Sequence, residues 1–96
     1  MAYAFVQDVP ITPEVYRQLM AEIGDERPQG LVVHVVARTE TGLRYLDVWE
    51  SKEAWERFRD ARVHPALDKV FKRIGFQPPS AEPPMQELDV VEVWRP

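Results

Sequence analysis

LVVHVVARTETGLRYLDVWESKEAWERF, residues Leu31 to Phe58, is the stretch that decides the fold of this chain. Its runs Leu31–Arg38 and Leu43–Glu50 are rich in valine and large apolar residues, which is typical of β-strands. Between them stands Thr-Glu-Thr-Gly, where Gly42 permits a tight turn, so the pattern predicts a β-hairpin. Ser51 then matches a helix N-cap, and the second strand is predicted to lead straight into a helix.

One strand and one helix are predicted before the hairpin. The alternation in Tyr3–Val9 predicts a strand, which Pro10 ends because proline has no N–H to donate to a sheet. Thr12 is predicted to cap a helix that ends at Gly24. The apolar stripe of this helix consists of Tyr16, Leu19, Met20 and Ile23 at helical spacing.

The chain after the hairpin predicts a long helix, a connector and a last strand. The residue before a proline avoids the helical conformation, so His64-Pro65 predicts an interruption of this helix, which then continues to Gly75. Residues 77–84 are rich in proline and predict an extended connector. Met85–Trp94 alternates and predicts the final strand.

The predicted order β-α-β-β-α-β is that of an α+β, ferredoxin-like fold with a four-stranded antiparallel sheet and its helices on one face. Both faces of the hairpin strands carry large apolar side chains, so the face without helices would remain exposed to solvent. We therefore expect a homodimer in which the sheets of two subunits pack against each other.

Composition limits the class of protein. The 96 residues are predicted to form a single domain, residues 1–96, and without cysteine they form no disulfide. The formal net charge of −4 and the lack of a basic cluster argue against nucleic acid as a partner. No apolar run reaches the length of a membrane span, and the first residues do not resemble a signal peptide. We expect a cytoplasmic protein that binds neither nucleic acid nor membrane.

The register of the hairpin follows from its turn. A loop of two or of four residues gives the same pairing, in which His34 lies opposite Asp47 and Val36 lies opposite Tyr45. One face then carries Val32, His34, Val36, Tyr45, Asp47 and Trp49. The other face carries Val33, Val35, Leu46 and Val48. The first face is chemically unusual, because it gathers an imidazole, a carboxylate, a phenol and an indole.

Two interpretations of the His34–Asp47 pair are open. In the first, Asp47 orients His34 and stabilises its protonated form, while His34 removes a proton from a bound acidic carbon or phenol. In the second, the pair is a satisfied cross-strand contact inside a dimer interface. The direction of His34 distinguishes them, because a side chain that points to the helices favours a pocket.

Other candidate residues lie on the long helix. Trp55 and Phe58 either wall a ligand site or form the helix–sheet core, and His64 is either a ligand contact or a capping residue. Arg57, Arg59 and Arg62 alternate with acidic residues and predict a solvated helix face. The sequence has no zinc signature, glycine-rich phosphate loop or nucleophile motif, so we expect no metal and no cofactor.

The run Val48-Trp49-Glu50-Ser51, followed by Glu53, Ala54, Trp55 and Phe58, resembles the dimeric α+β barrel superfamily, and within it the antibiotic-biosynthesis-monooxygenase-like proteins. The preceding HVVARTETGLRYLD resembles their central hairpin, and the likeness covers most of the chain. It implies homodimers whose sheets close into a barrel. Some members are cofactor-free oxygenases of anthrones or quinols, and others degrade haem. Phe58 stands where the haem-degrading branch has a second tryptophan, which argues against haem degradation.

The leading hypothesis is a homodimer that binds a planar, apolar small molecule and acts as a cofactor-independent monooxygenase of aromatic substrates. His34 would be the base, Asp47 its support and Tyr45 the hydrogen-bond donor to the developing oxyanion. The remaining predicted site residues are Trp49, Trp55, Phe58 and His64, which would contact the substrate. The alternative is a non-catalytic dimeric protein of the same fold that binds a ligand or has a structural role.

Overall fold

A computed structural model describes residues 2–76 and 83–95, and in these residues the elements follow the predicted order. The strands are β1 (Tyr3–Val9), β2 (Leu31–Thr39), β3 (Gly42–Trp49) and β4 (Met85–Leu88). The helices are α1 (Pro13–Ile23), α2 (Lys52–Phe58) and α3 (His64–Ile74), with the π-helical turn Arg59–Val63 joining α2 to α3. The described strands form an antiparallel sheet in the order β2-β3-β1-β4, which confirms the ferredoxin-like α+β prediction.

Both predicted N-caps are confirmed. The hydroxyl of Thr12 accepts the Val15 N–H at 3.2 Å, and that of Ser51 accepts the Ala54 N–H at 3.1 Å. Each hydroxyl satisfies a backbone donor that has no partner within the first turn of its helix. The ends of the helices are therefore set by side chains within a few residues, which is why the sequence located them.

The predicted hairpin register is also confirmed, with His34 opposite Asp47 and Val36 opposite Tyr45. A β-bulge between Leu31 and Val33 changes the predicted facing of the residues at the start of β2. It leaves Val32 as the extra residue, so Leu31 pairs with Trp49 and packs in the core beside it, where the alternation had placed Val32.

A side chain from the preceding loop stabilises this bulge. The Arg27 guanidinium donates to the carbonyl oxygens of Leu31 at 2.8 Å and of Val32 at 2.9 Å. Gly30, just before the strand, has a positive φ of 90° and lies against α2, where a Cβ would be 2.7 Å from the Ala54 Cβ. The start of β2 is therefore fixed by both the loop and α2.

The interruption predicted at His64-Pro65 takes the form of a wide turn, and the chain remains helical. His64 has helical φ and ψ of −60° and −44°, and its N–H donates to the Arg59 carbonyl, five residues earlier. Proline has no N–H and its ring collides with the carbonyl four residues before it in a regular α-helix. The π-helical turn relieves this conflict without breaking the helix.

The last strand is shorter than the predicted Met85–Trp94. It ends at Leu88, which pairs with Ala4, and β1 begins only one residue earlier, at Tyr3. The following residues therefore have no strand beside them, and they leave the sheet with Val91 and Trp94 almost fully exposed. Of the predicted connector 77–84, residues 77–82 lie outside the described part of the chain, and the Pro83 carbonyl accepts the Gln7 side-chain N–H at 2.9 Å.

The core consists of two separate clusters. Phe5, Trp49 and Ala54 are buried between the sheet and α2. Leu19, Ala66 and Val70 are buried between α1 and α3. The helix pair thus packs largely on itself, which leaves space between its inner side and the sheet.

The sheet has an inner face, which carries Phe5, His34, Tyr45, Asp47 and Trp49 towards the helices, and an outer face. The outer face carries Asp8, Val33, Val35, Arg44, Leu46 and Val48. Its apolar residues are conspicuously open to solvent, with Val33 42%, Val35 45% and Leu46 37% exposed. No helix among the described residues is both long and apolar enough to cross a membrane.

Candidate active site

A cavity of about 580 Å³ lies between the inner face of the sheet and the helices. Its volume falls in the range of small-molecule sites. Every predicted site residue lines it: His34, Tyr45, Asp47, Trp49, Trp55, Phe58 and His64. The fold therefore brings together in one cavity residues that the sequence placed on two strands and one long helix.

A chain of hydrogen bonds runs along one wall of this cavity. His34 Nδ1 and Asp47 Oδ1 are 2.5 Å apart, and Asp47 Oδ2 accepts the indole N–H of Trp49 at 3.0 Å. On the other side of the imidazole, His34 Nε2 lies 2.9 Å from the hydroxyl of Tyr16. Four side chains from β2, β3 and α1 are thus linked in a continuous polar network.

The carboxylate of Asp47 determines the hydrogen positions in this network. An ionised carboxylate only accepts hydrogen bonds, so the Nδ1–H of His34 donates to it. In the neutral imidazole the lone pair is then on Nε2, which accepts a hydrogen bond from the Tyr16 hydroxyl. Asp47 is only 4% exposed, and both of its oxygens have donors, as buried carboxylates require.

Two tyrosines surround the imidazole. The Tyr16 ring stacks on that of His34 at a centroid distance of 6.3 Å, and the Tyr45 ring meets His34 edge-on at 5.5 Å. Burial, aided by the charge of Asp47, raises the pKa of Tyr16; burial likewise raises the pKa of Tyr45 strongly, with smaller contributions from Tyr16 and Asp47. Both phenols are therefore kept protonated at neutral pH and remain hydrogen-bond donors.

Aromatic side chains form the wall beside this network. Trp49 lies 5.6 Å from Trp55 and 5.4 Å from Phe58 between ring centroids, and Phe5 lies 4.9 Å from Trp55. Trp49 belongs to both regions, since its ring packs in the aromatic cluster while its N–H donates to Asp47. The cavity therefore has a polar part around His34 and an apolar, aromatic part around Trp55.

His64 lines the cavity from the helix side, at the end of the π-helical turn, and its Nδ1 lies 3.8 Å from Asp60 Oδ1. Arg59 also lines the cavity, with 29% of its side chain exposed, and donates to Asp60 at 2.9 Å. Arg59 also makes the predicted i,i+3 pair with Glu56, at 3.9 Å. The predicted solvated face is wrong for Arg62, whose guanidinium donates to the Ile23 carbonyl at 2.7 Å. That contact satisfies a carbonyl at the end of α1.

Tyr16 is the site residue that the sequence pattern does not indicate. Its spacing predicts a place in the apolar stripe of α1, whereas the structure places it on the cavity with its hydroxyl against His34. A signal did exist, because Tyr16 is the one residue of the stripe with a polar group, and buried phenols usually need a partner. The sequence did not reveal which residue that partner would be.

The described residues contain no group of three or more histidine, aspartate or glutamate side chains that could hold a metal ion. The arrangement is instead suited to proton transfer. It combines an imidazole oriented by a carboxylate, protonated phenols and an aromatic wall that excludes water.

A comparison with solved structures identifies the fold. A candidate antibiotic biosynthesis monooxygenase from Chloroflexus aurantiacus J-10-fl superimposes with a TM-score of 0.66, covering 98% of this chain and 97% of that protein. Their sequences are 17% identical, so the likeness is one of fold alone. It confirms the resemblance to antibiotic-biosynthesis-monooxygenase-like proteins with respect to the fold. No protein-family model and no curated protein matches the chain.

Proposed function

We propose that this protein is a homodimer that binds a planar, apolar, weakly acidic small molecule in the cavity and oxygenates it without a cofactor, as for an anthrone or a quinol. The observation that carries the proposal is the His34–Asp47 pair, which opens onto an aromatic-walled cavity of about 580 Å³. A base inside an apolar cavity is what abstraction of a proton from such a molecule requires.

The proposed reaction begins with loss of a proton from the bound molecule, and that proton finally resides on His34. Asp47 stabilises the resulting imidazolium through the Nδ1 hydrogen bond. The electron-rich carbanion then reacts with dioxygen. For an anthrone, whose reacting carbon carries two hydrogens, a C–O bond forms and a proton returns to give a hydroperoxide. The O–O bond and the second C–H bond then break, one oxygen stays in the product as a carbonyl and the other leaves as water, so no further reductant is consumed.

Tyr45 is proposed to donate a hydrogen bond to the oxyanion that develops on the substrate. Its raised pKa keeps the hydroxyl protonated, so it can act as a hydrogen-bond donor at the cavity wall. A donor already held at the wall costs little reorganisation when charge develops. Trp49, Trp55, Phe58 and His64 would contact the substrate and exclude water.

The proposed partner of each subunit is a second copy of the chain. The outer face exposes Val33, Val35 and Leu46, and the residues after β4 expose Trp94 to 87%. Apolar surface of this kind on a chain of 96 residues favours association, because a small domain gains stability by burying more of it. Contact between two outer faces would leave the cavities on the opposite sides of the sheets accessible.

The test is an aerobic titration with an anthrone, a quinol and hemin, following tryptophan fluorescence and oxygen uptake together. Trp49 and Trp55 line the cavity, so we expect binding to quench their emission. Oxygen uptake is expected with the anthrone or the quinol, and His34→Ala should abolish it while the dimer persists. Tyr3→Phe is the control, because it removes a hydroxyl that bonds Glu87 outside the cavity.

A second function is favoured by a different observation. Both ring nitrogens of His34 already have partners within the protein, so the imidazole is satisfied without any substrate. If His34 serves only to satisfy Asp47 and Tyr16, the protein is a non-catalytic dimeric ligand-binding protein. Quenching without oxygen uptake, equal in wild type and His34→Ala, would support this alternative and contradict the monooxygenase.

A further inference from the structure

The occupied lone pair of His34 poses a problem for direct proton abstraction. Its Nδ1–H donates to Asp47, and its Nε2 accepts the hydroxyl of Tyr16 at 2.9 Å. In this arrangement neither nitrogen has a free position for an atom of a ligand. A proton therefore reaches His34 only after Tyr16 moves away, or by passing through Tyr16.

The position of Tyr16 favours transfer of the proton through its hydroxyl group. Its side chain lines the cavity, and its ring contacts those of both His34 and Tyr45, at centroid distances of 6.3 Å and 5.8 Å. After the hydroxyl donates to Nε2, its oxygen still has lone pairs that can accept a proton from a ligand. The tyrosine is thus both a donor to the base and an acceptor for the cavity.

We propose that Tyr16 is a catalytic residue that relays the proton of the bound ligand to His34. The ligand O–H or C–H bond breaks as its proton passes to the Tyr16 oxygen, and the original Tyr16 proton passes to Nε2. The ligand becomes an anion, His34 becomes an imidazolium facing Asp47, and Tyr16 ends as the neutral phenol from which it started. The inference rests on the proposed function, since it concerns a ligand in the same cavity.

The relay also changes the role of the tyrosine during the reaction. Once the proton has moved, the Tyr16 hydroxyl donates to the ligand anion and accepts from the imidazolium. Burial raises the pKa of Tyr16, so a lasting phenolate is disfavoured and a concerted transfer is favoured. Tyr16→Phe should therefore impair ligand ionisation, whereas abstraction directly by Nε2 would be helped by removing the hydroxyl that blocks it.

The test uses 2-hydroxyanthraquinone, a planar phenol whose visible absorbance shifts when it ionises. Tryptophan quenching reports its binding, and absorbance at neutral pH reports the ratio of ionised to neutral bound probe. In Tyr16→Phe we expect binding to change by less than about 3-fold and that ratio to fall about 10-fold or more, as in His34→Gln. Tyr3→Phe should match the wild type in both measurements.

The outcomes separate the relay from the proposed function. Ionisation that depends on His34 but is unchanged or stronger in Tyr16→Phe would overturn the relay and leave His34 as a direct base. No quenching in the wild type would overturn ligand binding itself, and the relay with it. Should Tyr16→Phe fail to fold, 3-fluorotyrosine at position 16 retains the hydroxyl as a stronger donor. The relay then predicts more ionised probe, and no increase would contradict it.

Discussion

The two faces of the sheet differ more than the sequence of either strand suggests. The inner face presents His34, Asp47 and Trp49 to a cavity roofed by the helices, and it buries Asp47 to 4% exposure. The outer face presents Val33 and Val35 to solvent. A buried carboxylate and exposed valines thus come from the same hairpin, because the helices cover only one of its sides.

A pair of ionic contacts makes the comparison quantitative. On the inner face, His34 and Asp47 are 2.5 Å apart with side-chain exposures of 27% and 5%; on the outer face, Arg44 and Asp8 are 2.7 Å apart with exposures of 55% and 57%. The distances are alike, but water screens and solvates the outer pair. Burial therefore makes the inner pair the important one for both stability and chemistry.

The largest effect is expected from Asp47→Ala. The substitution leaves the N–H groups of His34 and Trp49 without their acceptor in the interior, so we expect the free energy of unfolding to fall by about 4 kcal/mol. Urea unfolding followed by circular dichroism measures it. Asp8→Ala, on the outer face, should cause little change, and equal losses in the two variants would contradict the contrast between the faces.

The next effect concerns assembly. Val35→Glu places a charge on the outer face, and we expect the dissociation constant of the proposed dimer to rise about 100-fold, or about 2.7 kcal/mol, while the subunit remains folded. Sedimentation equilibrium measures this change. Thr41→Glu adds the same charge in the hairpin loop and serves as the control. A wild-type protein that sediments as a monomer would disprove the dimer.

A smaller effect is expected where the polar and aromatic parts of the inner face meet. Trp49→Phe removes the N–H that donates to Asp47 Oδ2, and we expect a loss of about 2 kcal/mol in the free energy of unfolding. Trp55→Phe is a matched comparison without such a bond to Asp47 and should cost less. The reverse order, by urea unfolding, would show that the aromatic packing matters more than the hydrogen bond.

The smallest effect is at alkaline pH. The pKa of Tyr45 is raised above its usual 10.0 by burial, so the unfolded chain loses this proton at lower pH than the folded protein does. Its stabilising contribution is therefore complete below about pH 10 and is lost as the pH rises towards the folded pKa. Near pH 11 we expect wild type to lose roughly 1 kcal/mol more than Tyr45→Phe, relative to pH 8, in urea unfolding. Identical losses would contradict the burial of this hydroxyl.

Much of the inner face could be predicted because it depends on neighbours along the chain. The tight turn fixes which residues of β2 and β3 face each other, and so places His34 opposite Asp47. The bulge at Val32 could not be predicted, because Arg27 stabilises it from a loop and the alternation of apolar residues in the strand does not indicate it. The end of β4 could not be predicted either, because the length of β4 depends on where its partner β1 begins.

The sequence by itself determined the order of the elements, the caps at Thr12 and Ser51 and the pairing of His34 with Asp47, since each depends on interactions within one turn or one hairpin. Only the tertiary structure decided that Tyr16 reaches His34 and that Arg62 bonds the end of α1. These contacts join elements far apart in the chain. They depend on how the helices pack over the sheet, which no local pattern of residues specifies.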